Sequence, residues 1–354
     1  MSGGVDSSVA AALLAEAGHE VIGVHMKLHE GAVTGTTGHC CGLDDAWDAR
    51  RVADKLAIPF YVLNLEDAFR EAVVDPFAKA WRAGLTPNPC VTCNGVLKFR
   101  VLLRRALALG ADMLATGHYA RTDGGRLFEA VDTARDQSYF LHPVPAEALK
   151  RTLFPLGGMA KPQVRAHAER LGLLNANKPD SMEVCFIPND DHADFVSRYE
   201  SAQGIGLEGD GDIVDESGAI LGSHEGYHRY TVGQRRGLGL AGGPWYVLEV
   251  RPNSRQVVVG PDSRLYEQSL IARDLNWLRP AGQLLGHPLD ARIRHKGARI
   301  PAELTLLDPL TVQFRAPARA ITPGQAVVLY DGTEVVAGGT IVRAGHHAEA
   351  GLLA

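Results

Sequence analysis

The chain has 354 residues, a formal net charge of −5 and a hydrophobic fraction of 45%. It contains no run of 18 apolar residues, which excludes a membrane-spanning helix of ordinary length. The balance of charge gives no global signal for nucleic acid, although a local basic patch can still bind RNA. The first residues do not have the pattern of a signal peptide, so we expect a cytoplasmic protein. The five cysteines are an odd number in a long chain, which favours reduced thiols over a disulfide framework.

Helical and strand patterns alternate over the first 120 residues. Apolar spacing near 3.6 predicts helices over 5–17, 44–57, 66–84 and 94–110, with Pro76 interrupting the third. Short apolar runs predict strands over 20–28, 60–65 and 112–120. This alternation predicts an α/β fold with a doubly wound parallel sheet.

The pattern changes after residue 200. Residues 146–199 are mostly helical in pattern, 202–260 are rich in glycine with short strands, and strand runs separated by turns follow from 265. We therefore predict three domains: a catalytic α/β domain over 1–200, a small central domain over 201–263 and a C-terminal β-barrel over 264–354.

The opening residues MSGGVDSS have the composition of a phosphate-binding loop. Gly3 and Gly4 allow close approach of a ligand, and the helix that follows offers free N–H groups to an anion. Ser2 and Ser7 add hydroxyl donors, whereas Asp6 suits a phosphate only if it holds a cation or orders the loop. The alternative interpretation is an ordinary helix cap made by Ser2 or Asp6. The lysine of a Walker A loop is absent.

Longer motifs carry a resemblance to a known family. S-G-G-x-D-S resembles the loop of the N-type ATP pyrophosphatases, which have the adenine nucleotide alpha hydrolase-like fold and activate a carbonyl oxygen by adenylation. Nearly the whole chain is similar to the tRNA-specific 2-thiouridylase family, through the segments AGLTPNPCVTCNGVLKF, ATGHYAR, RDQSYFL, FPLGGMAKPQVR, DSMEVCFI and YTVGQRRGLG. In that family the loop follows a central strand. We therefore expect the natural polypeptide to begin upstream of Met1.

The resemblance assigns roles to two cysteines. It implies that Cys185 carries a persulfide and that Cys93 attacks it by thiol–disulfide exchange. Without the resemblance, Cys185 could equally be a core residue. Cys90 stands where well-known members have an aspartate proposed to transfer protons. Cys90, Cys93 and Cys185 together could instead hold an iron–sulfur cluster with one open iron. For Cys40 and Cys41 we expect a structural or incidental role in a loop.

The resemblance also implies contacts with nucleotide and tRNA. Ser2, Gly3, Gly4, Asp6, Ser7, Met26 and Gly117 match nucleotide contacts, Met26 beside adenine. Asn88, Pro89 and Cys90 match the stretch that holds the target base, and Arg135, Asp136 and Gln137 match a tRNA-contacting segment. Arg294 and His295 stand where the family has an arginine–tyrosine pair that contacts tRNA. His118 is either a direct contact or a satisfied core histidine. The aromatic residues among the arginines of HRYTVGQRRGLG could stack on bases.

These assignments imply ATP-dependent 2-thiolation of the wobble uridine of tRNA for lysine, glutamate and glutamine. ATP with Mg²⁺ would adenylate the uridine, and sulfur from a cysteine desulfurase or a relay protein would displace AMP. One alternative is another enzyme with the same loop, such as an amide-forming synthetase or an iron–sulfur-dependent tRNA thiolase. Another is an RNA-binding protein without ATP turnover.

Overall fold

The computed structural model describes residues 1–29, 43–179, 184–187, 189, 191–206 and 209–345. The chain divides into two units. The first unit comprises Met1–Val74, Pro89–Asp191 and Thr333–Val335, and the second comprises Asp75–Asn88, His192–Gly332 and Val336–Ala354. Within the described ranges, no helix has both the length and the apolar character needed to cross a bilayer. The predicted domain boundaries at 200 and 263 stay predictions.

Helices and parallel strand pairs form the first unit. Helices cover Val5–Glu16, Leu43–Lys55, Glu66–Phe69, Pro89–Thr92, Leu103–Ala108, Ser138–Leu141, Ala146–Leu149 and Lys161–Arg170, and wider π-helical turns cover Arg70–Val74 and Cys93–Leu102. Strand Gly23–Lys27 pairs in parallel with Phe60–Asn64, and Leu114–Ala115 pairs in parallel with Thr152–Leu153. This architecture confirms the predicted α/β class.

The first helix follows from its sequence. Val5–Glu16 is rich in alanine, the best helix former, and its N-terminal half is buried. It ends before Gly18, whose φ of +83° permits a left-handed turn. The backbone N–H groups in this turn donate to the last carbonyl groups of the helix. Residues Val5, Val9 and Ala10 pack into a core with Val164 and Leu156. The packing fixes the start of this helix, and therefore the loop before it.

One local prediction differs from the structure. The strand predicted over 112–120 is only two residues long, because the chain turns away after Thr116. The Thr116 N–H makes the last hydrogen bond to the neighbouring strand, at Leu153 O. Residues Ala120–Asp123 and Arg126–Glu129 instead form an antiparallel hairpin. Gly124 and Gly125 connect its strands with φ values of +56° and +92°, as a tight hairpin turn requires.

The second unit contains two helices, a four-stranded sheet and a closed barrel. Helices Asp75–Arg82 and His192–Ala202 contact each other through Phe77 and Phe195, whose ring centroids are 6.2 Å apart. The four-stranded sheet has the order Ile220–His224, Gly211–Val214, Gln256–Gly260 and Tyr246–Arg251.

Six strands form the C-terminal barrel. Their order is Tyr266–Trp277, Leu310–Arg319, Ile300–Leu307, Leu289–Arg292, Ala326–Asp331 and Glu334–Ala344. The last strand pairs back onto the first, which closes the barrel. Buried side chains such as Leu270, Val312, Phe314 and Leu329 fill its interior. The predicted C-terminal β-barrel is confirmed.

Candidate nucleotide and sulfur-transfer site

The loop before the first helix leaves the helix end open. Gly4 is the N-cap residue, and no side chain of the described residues caps the helix. The cap interpretation of Ser2 or Asp6 is therefore wrong. Ser7 Oγ instead accepts the backbone N–H of Ser2 at 3.0 Å, which folds the loop over the helix start. Free N–H groups and the positive end of a buried helix make this a suitable place for a phosphate.

Two glycines allow other segments to approach the loop. Gly3 has a φ of +78°, and a Cβ there would lie 2.5 Å from Asp45 O. A Cβ on Gly117 would lie 2.7 Å from both the carbonyl carbon of Asp6 and the backbone nitrogen of Ser7. Both clashes would be with backbone, which cannot move aside as a flexible side chain can. The structure therefore brings Gly117 to the predicted loop.

The Asp6 carboxylate is held by the protein. Lys161 Nζ donates to Asp6 Oδ1 at 2.8 Å and to Oδ2 at 2.9 Å, and the Tyr119 hydroxyl donates to Oδ1 at 2.9 Å. Lys161 is only 6% exposed. Of the two roles considered for Asp6, ordering the loop is the one these contacts support. Sequence reasoning had not selected Lys161 or Tyr119.

A second set of contacts supports the other side of the loop. Asn175 is buried, and its Nδ2 donates to Gly3 O at 3.0 Å and to Ser8 Oγ at 2.8 Å. Lys178 bridges Asp45 and Asp48 at 2.6 and 2.7 Å. Because Asp45 is the residue packed against Gly3, this bridge fixes the surface on which the loop rests.

The predicted adenine contact lies on the strand beside the loop. Met26 is half-buried on Gly23–Lys27 and is opposite Leu63 in the parallel pair. The Met1 backbone nitrogen donates to Val24 O, and His25 Nδ1 is 3.0 Å from Met1 O. The beginning of the loop therefore runs alongside the strand that carries Met26.

Cys90, Cys93 and Cys185 are reduced cysteines in the structure. Cys93 begins the stretch Cys93–Leu102 and is half-buried, and Cys90 lies in the preceding helical turn. Burial raises the pKa of the Cys93 thiol, and the ammonium of Lys98 acts in the opposite direction. Cys90 is solvent-exposed as a residue, yet the protein around its sulfur raises the pKa of its thiol too. Both thiols are therefore mostly protonated at neutral pH.

Cys185 lies in a separate short turn. Ile187 N donates to Val184 O at 3.0 Å, and Phe186 beside Cys185 packs edge-on against Phe69 with ring centroids 5.5 Å apart. Cys185 is half-buried, and the contact with Phe69 holds its neighbour Phe186 in place. Cys40 and Cys41 lie outside the described residues. Convergence of Cys93 and Cys185 stays a prediction.

The described residues do not form a metal site of the usual kind. Among them, no three His, Cys, Asp or Glu side chains come together in a way that could hold a metal ion. Cys90, Cys93 and Cys185 are all among the described residues. Their arrangement therefore does not fit the iron–sulfur cluster that their sequence allowed.

His118 has the contacts of a satisfied histidine. Its Nδ1 is 2.7 Å from Thr116 Oγ1, its Nε2 is 3.4 Å from Lys98 Nζ, and its ring contacts Phe99 and Phe154. Burial, followed by the nearby Lys98 charge, holds the pKa of His118 well below 6.5. The imidazole is therefore neutral at physiological pH.

The predicted tRNA-contacting segment is partly internal. Arg135 is exposed, whereas Asp136 is 4% exposed. The Asp136 carboxylate accepts from the backbone of Ala130 and Ser138 and from Ser138 Oγ at 2.8 to 3.2 Å. Gln137 exchanges two hydrogen bonds with the backbone of Tyr119. Asp136 thus shapes this segment, and Arg135 is its exposed cation.

Pro89 is buried in the same unit. In the second unit, Asn88 is half-buried, Arg294 is exposed and His295 is half-buried. Arg294 and His295 lie in a turn closed by the Gly297 N–H donating to Arg294 O.

The aromatic residues of HRYTVGQRRGLG do not serve as a stacking surface. Tyr230 of this motif, and Tyr227 immediately before it, are buried in a core with Ile213 and Val257, so the interpretation that they stack on bases is wrong. His228 is also buried, and burial lowers its pKa to about 4, which leaves it uncharged at pH 7. Arg229, Arg235 and Arg236 remain exposed as the cations of this motif.

Comparison with known protein families gives matches along the chain. Residues 1–189 match a model described as the tRNA methyl transferase HUP domain. Residues 195–261 match its PRC-barrel domain, and residues 267–341 match an aminomethyltransferase beta-barrel domain.

Curated relatives match over nearly the full chain. The tRNA-specific 2-thiouridylase MnmA of Koribacter versatilis is 48% identical over 96% of this chain and 97% of its own length. The proteins of the same name from Geotalea uraniireducens and Geobacter metallireducens are also 48% identical, over 97% and 96% of this chain and 94% and 95% of their own lengths. Among solved structures, NMN synthetase from Francisella tularensis has a TM-score of 0.36 and 15% identity over 58% of this chain and 76% of that chain.

Proposed function

The chain belongs to the tRNA-specific 2-thiouridylase (MnmA) family, and on this premise we propose that it exchanges the C2 oxygen of the wobble uridine of tRNA for sulfur, using ATP. The observation that carries this proposal is the uncapped start of Val5–Glu16, enclosed by Gly3 and Gly117 and braced by the Lys161–Asp6 ion pair. Such a structure suits the triphosphate of ATP.

The nucleotide site would use backbone and hydroxyl donors. Ser2, Gly3, Gly4 and Ser7 would bind the phosphates, Asp6 would keep the loop in shape, and Met26 would contact the adenine. Mg²⁺ would accompany ATP and neutralise phosphate charge. Gly117 would leave room for the loop and the nucleotide together.

The chemistry would proceed in two stages. With the uridine flipped into the site, its C2 oxygen attacks the α-phosphorus of ATP, which forms adenylated uridine and releases pyrophosphate. The terminal sulfur of a Cys185 persulfide then attacks C2, and AMP leaves with the oxygen. The Cys93 thiolate attacks the Cys185 sulfur, so that 2-thiouridine is released and a Cys93–Cys185 disulfide remains. An external dithiol must supply two electrons to reset the two thiols.

The raised pKa of Cys93 fits a resolving role. A thiol kept protonated at rest does not attack the donor persulfide prematurely, and Lys98 favours its thiolate when the site is assembled. Sulfur would come from a cysteine desulfurase or a relay protein. Because the three described cysteines do not come together as a metal-binding group, the steps proposed here use thiol chemistry alone.

The substrates would be tRNAs for lysine, glutamate and glutamine, in the cytoplasm. Arg135 and Arg294 would contact phosphates, with Gln137 and His295 beside them, while Asp136 would act by shaping its segment. Asn88, Pro89 and Cys90 would hold the target uridine base. Phosphate contacts of this kind position RNA without reading its sequence.

The decisive experiment is mass analysis of nucleosides after incubation with tRNA, ATP and a sulfur donor. We expect 2-thiouridine with wild type and with the control Cys40→Ser, and none with Cys93→Ser or Cys185→Ser. Wild-type amounts of 2-thiouridine from Cys185→Ser would refute the persulfide role. An amide-forming synthetase with the same loop would form no 2-thiouridine with any of these proteins. Absence of tRNA-dependent pyrophosphate release would instead indicate a non-catalytic RNA-binding protein. Sulfur exchange and methyl addition also give different nucleoside masses, which separates thiolation from methyl transfer.

A further inference from the structure

One residue contacts both the phosphate loop and the segment predicted to bind tRNA. The Tyr119 hydroxyl donates to Asp6 Oδ1 at 2.9 Å. The backbone of the same residue donates its N–H to Gln137 Oε1 at 3.0 Å and accepts the Gln137 N–H at 2.8 Å. Tyr119 therefore joins residue 6 to residue 137 by hydrogen bonds at its two ends.

This connection is stiff. Tyr119 is 2% exposed, and its ring packs with Val5 and Val164 in one core cluster. Gly117, two residues earlier, lies against the backbone of Asp6 and Ser7 with no room for a methyl group. A displacement of the Tyr119 backbone must therefore disturb either the loop or the core, because packed interiors do not deform smoothly.

The other end of the connection is also fixed. Asp136 binds the backbone of Ala130 and Ser138, so its segment moves as one piece with Gln137. Arg135 is the exposed residue of that piece. A force applied at Arg135 by a bound phosphate would reach Tyr119 through the paired backbone.

We propose that Tyr119 is a positioning residue that couples tRNA binding at the segment 135–137 to nucleotide binding at the Ser2–Ser7 loop. This rests on the proposed function, because it requires that the segment contacts tRNA and the loop contacts ATP. The phenol hydroxyl holds the Asp6 carboxylate in place when the segment is seated. Coupling between two sites is reciprocal, so ATP must strengthen tRNA binding by the factor by which tRNA strengthens ATP binding.

The test uses Tyr119→Phe, which keeps the buried ring and removes the hydroxyl. The dissociation constant of a non-hydrolysable ATP analogue is measured by calorimetry with and without saturating tRNA. For wild type we expect tRNA to tighten analogue binding by roughly fivefold or more, within the usual range of coupling. For Tyr119→Phe we expect that ratio to fall towards one. The converse titration of tRNA with and without analogue must give the same two ratios.

A matched control separates coupling from structure. Tyr199→Phe removes another tyrosine hydroxyl that donates to an aspartate, Asp75, in the second unit, and should keep the wild-type ratio. Gln137→Met removes one of the two hydrogen bonds at the other end of the connection and should also lower the ratio. Thermal unfolding of each variant establishes that it is folded.

The outcomes are distinguishable. A purely structural role for Tyr119 would lower the melting temperature and leave the ratio unchanged, which would overturn the inference. A wild-type ratio near one would overturn it as well. If wild type forms no 2-thiouridine, the proposed function fails. If wild type forms 2-thiouridine and Tyr119→Phe keeps its ratio, only the coupling fails.

Discussion

Lys161 donates to both carboxylate oxygens of Asp6, although the two residues are 155 positions apart in the sequence. The lysine begins helix Lys161–Arg170, and the aspartate lies in the first turn of Val5–Glu16. The pair joins two helix starts, and it places a buried positive charge next to the loop proposed to hold phosphate. The loop is consequently kept in shape by distant parts of the chain.

We predict that Lys161→Met destabilises the protein by about 1–3 kcal/mol. Removing one partner of a fully buried ion pair costs about 3–5 kcal/mol, and we expect less here because the Asp6 side chain is 31% exposed and partly screened by solvent. Urea unfolding measures the change. Lys150→Met removes a lysine from the exposed Lys150–Glu147 pair and should change stability by less than about 0.5 kcal/mol. Equal effects of the two substitutions would contradict the importance of burial.

We predict that Gly117→Ala weakens ATP binding by at least about tenfold, because a small displacement at a reacting site is costly. The new methyl group would meet Asp6 and Ser7 backbone atoms at 2.7 Å, so the loop must move. Calorimetry with an ATP analogue gives the dissociation constant. Gly158→Ala is the control, because its Cβ would meet no atom within 4 Å. Unchanged affinity in Gly117→Ala would show that the loop tolerates the shift.

We predict that Lys98 controls the reactivity of Cys93. The Lys98 charge lowers a thiol pKa that burial has raised, so Lys98→Met should move the onset of Cys93 alkylation by iodoacetamide to higher pH. Lys98→Arg keeps the charge and should keep the onset close to that of wild type. Peptide mass spectrometry separates Cys93 from the other cysteines. The same pH profile in all three proteins would exclude this electrostatic effect.

We predict a loss of stability between pH 7 and pH 5 that depends on His142. Burial lowers the pKa of His142 from 6.5 to about 4, so the unfolded chain binds more protons than the folded chain in this interval. The stability that the neutral His142 contributes is present above pH 6.5 and is lost as the pH falls towards 4. The loss in the free energy of unfolding amounts to about 2 kcal/mol between pH 7 and pH 5. Urea unfolding at both values should show a smaller pH difference for His142→Asn than for wild type, and an equal difference would disprove the assignment.

Regular periodicity predicted the first elements well. Val5–Glu16 and Leu43–Lys55 lie where apolar spacing near 3.6 indicated, and Gly23–Lys27 and Phe60–Asn64 lie where short apolar runs indicated. The π-helical form of Cys93–Leu102 was not predictable in the same way. Apolar spacing identifies a helical stretch, but the choice of hydrogen-bond partner depends on tertiary packing.

The supporting residues of the site were harder to predict. Tyr119 and Lys161 stood within motifs that had been recognised, yet their contacts with Asp6 bring together parts of the chain over 100 positions apart. One local signal was available for Lys161. A lysine at the first position of a helix opposes the helix dipole, so its placement there requires a partner. Asp136 carried a misleading signal, since a polar triplet such as Arg135–Gln137 usually indicates a solvated loop and this carboxylate is internal.

The closed barrel has a consequence for biosynthesis. Its first strand, Tyr266–Trp277, hydrogen-bonds to Glu334–Ala344, more than 50 positions later in the chain. While the ribosome is still making the intervening residues, one side of Tyr266–Trp277 has no permanent partner. A nascent chain with such an open edge is vulnerable to pairing with another copy, and completion of the last strand removes that hazard.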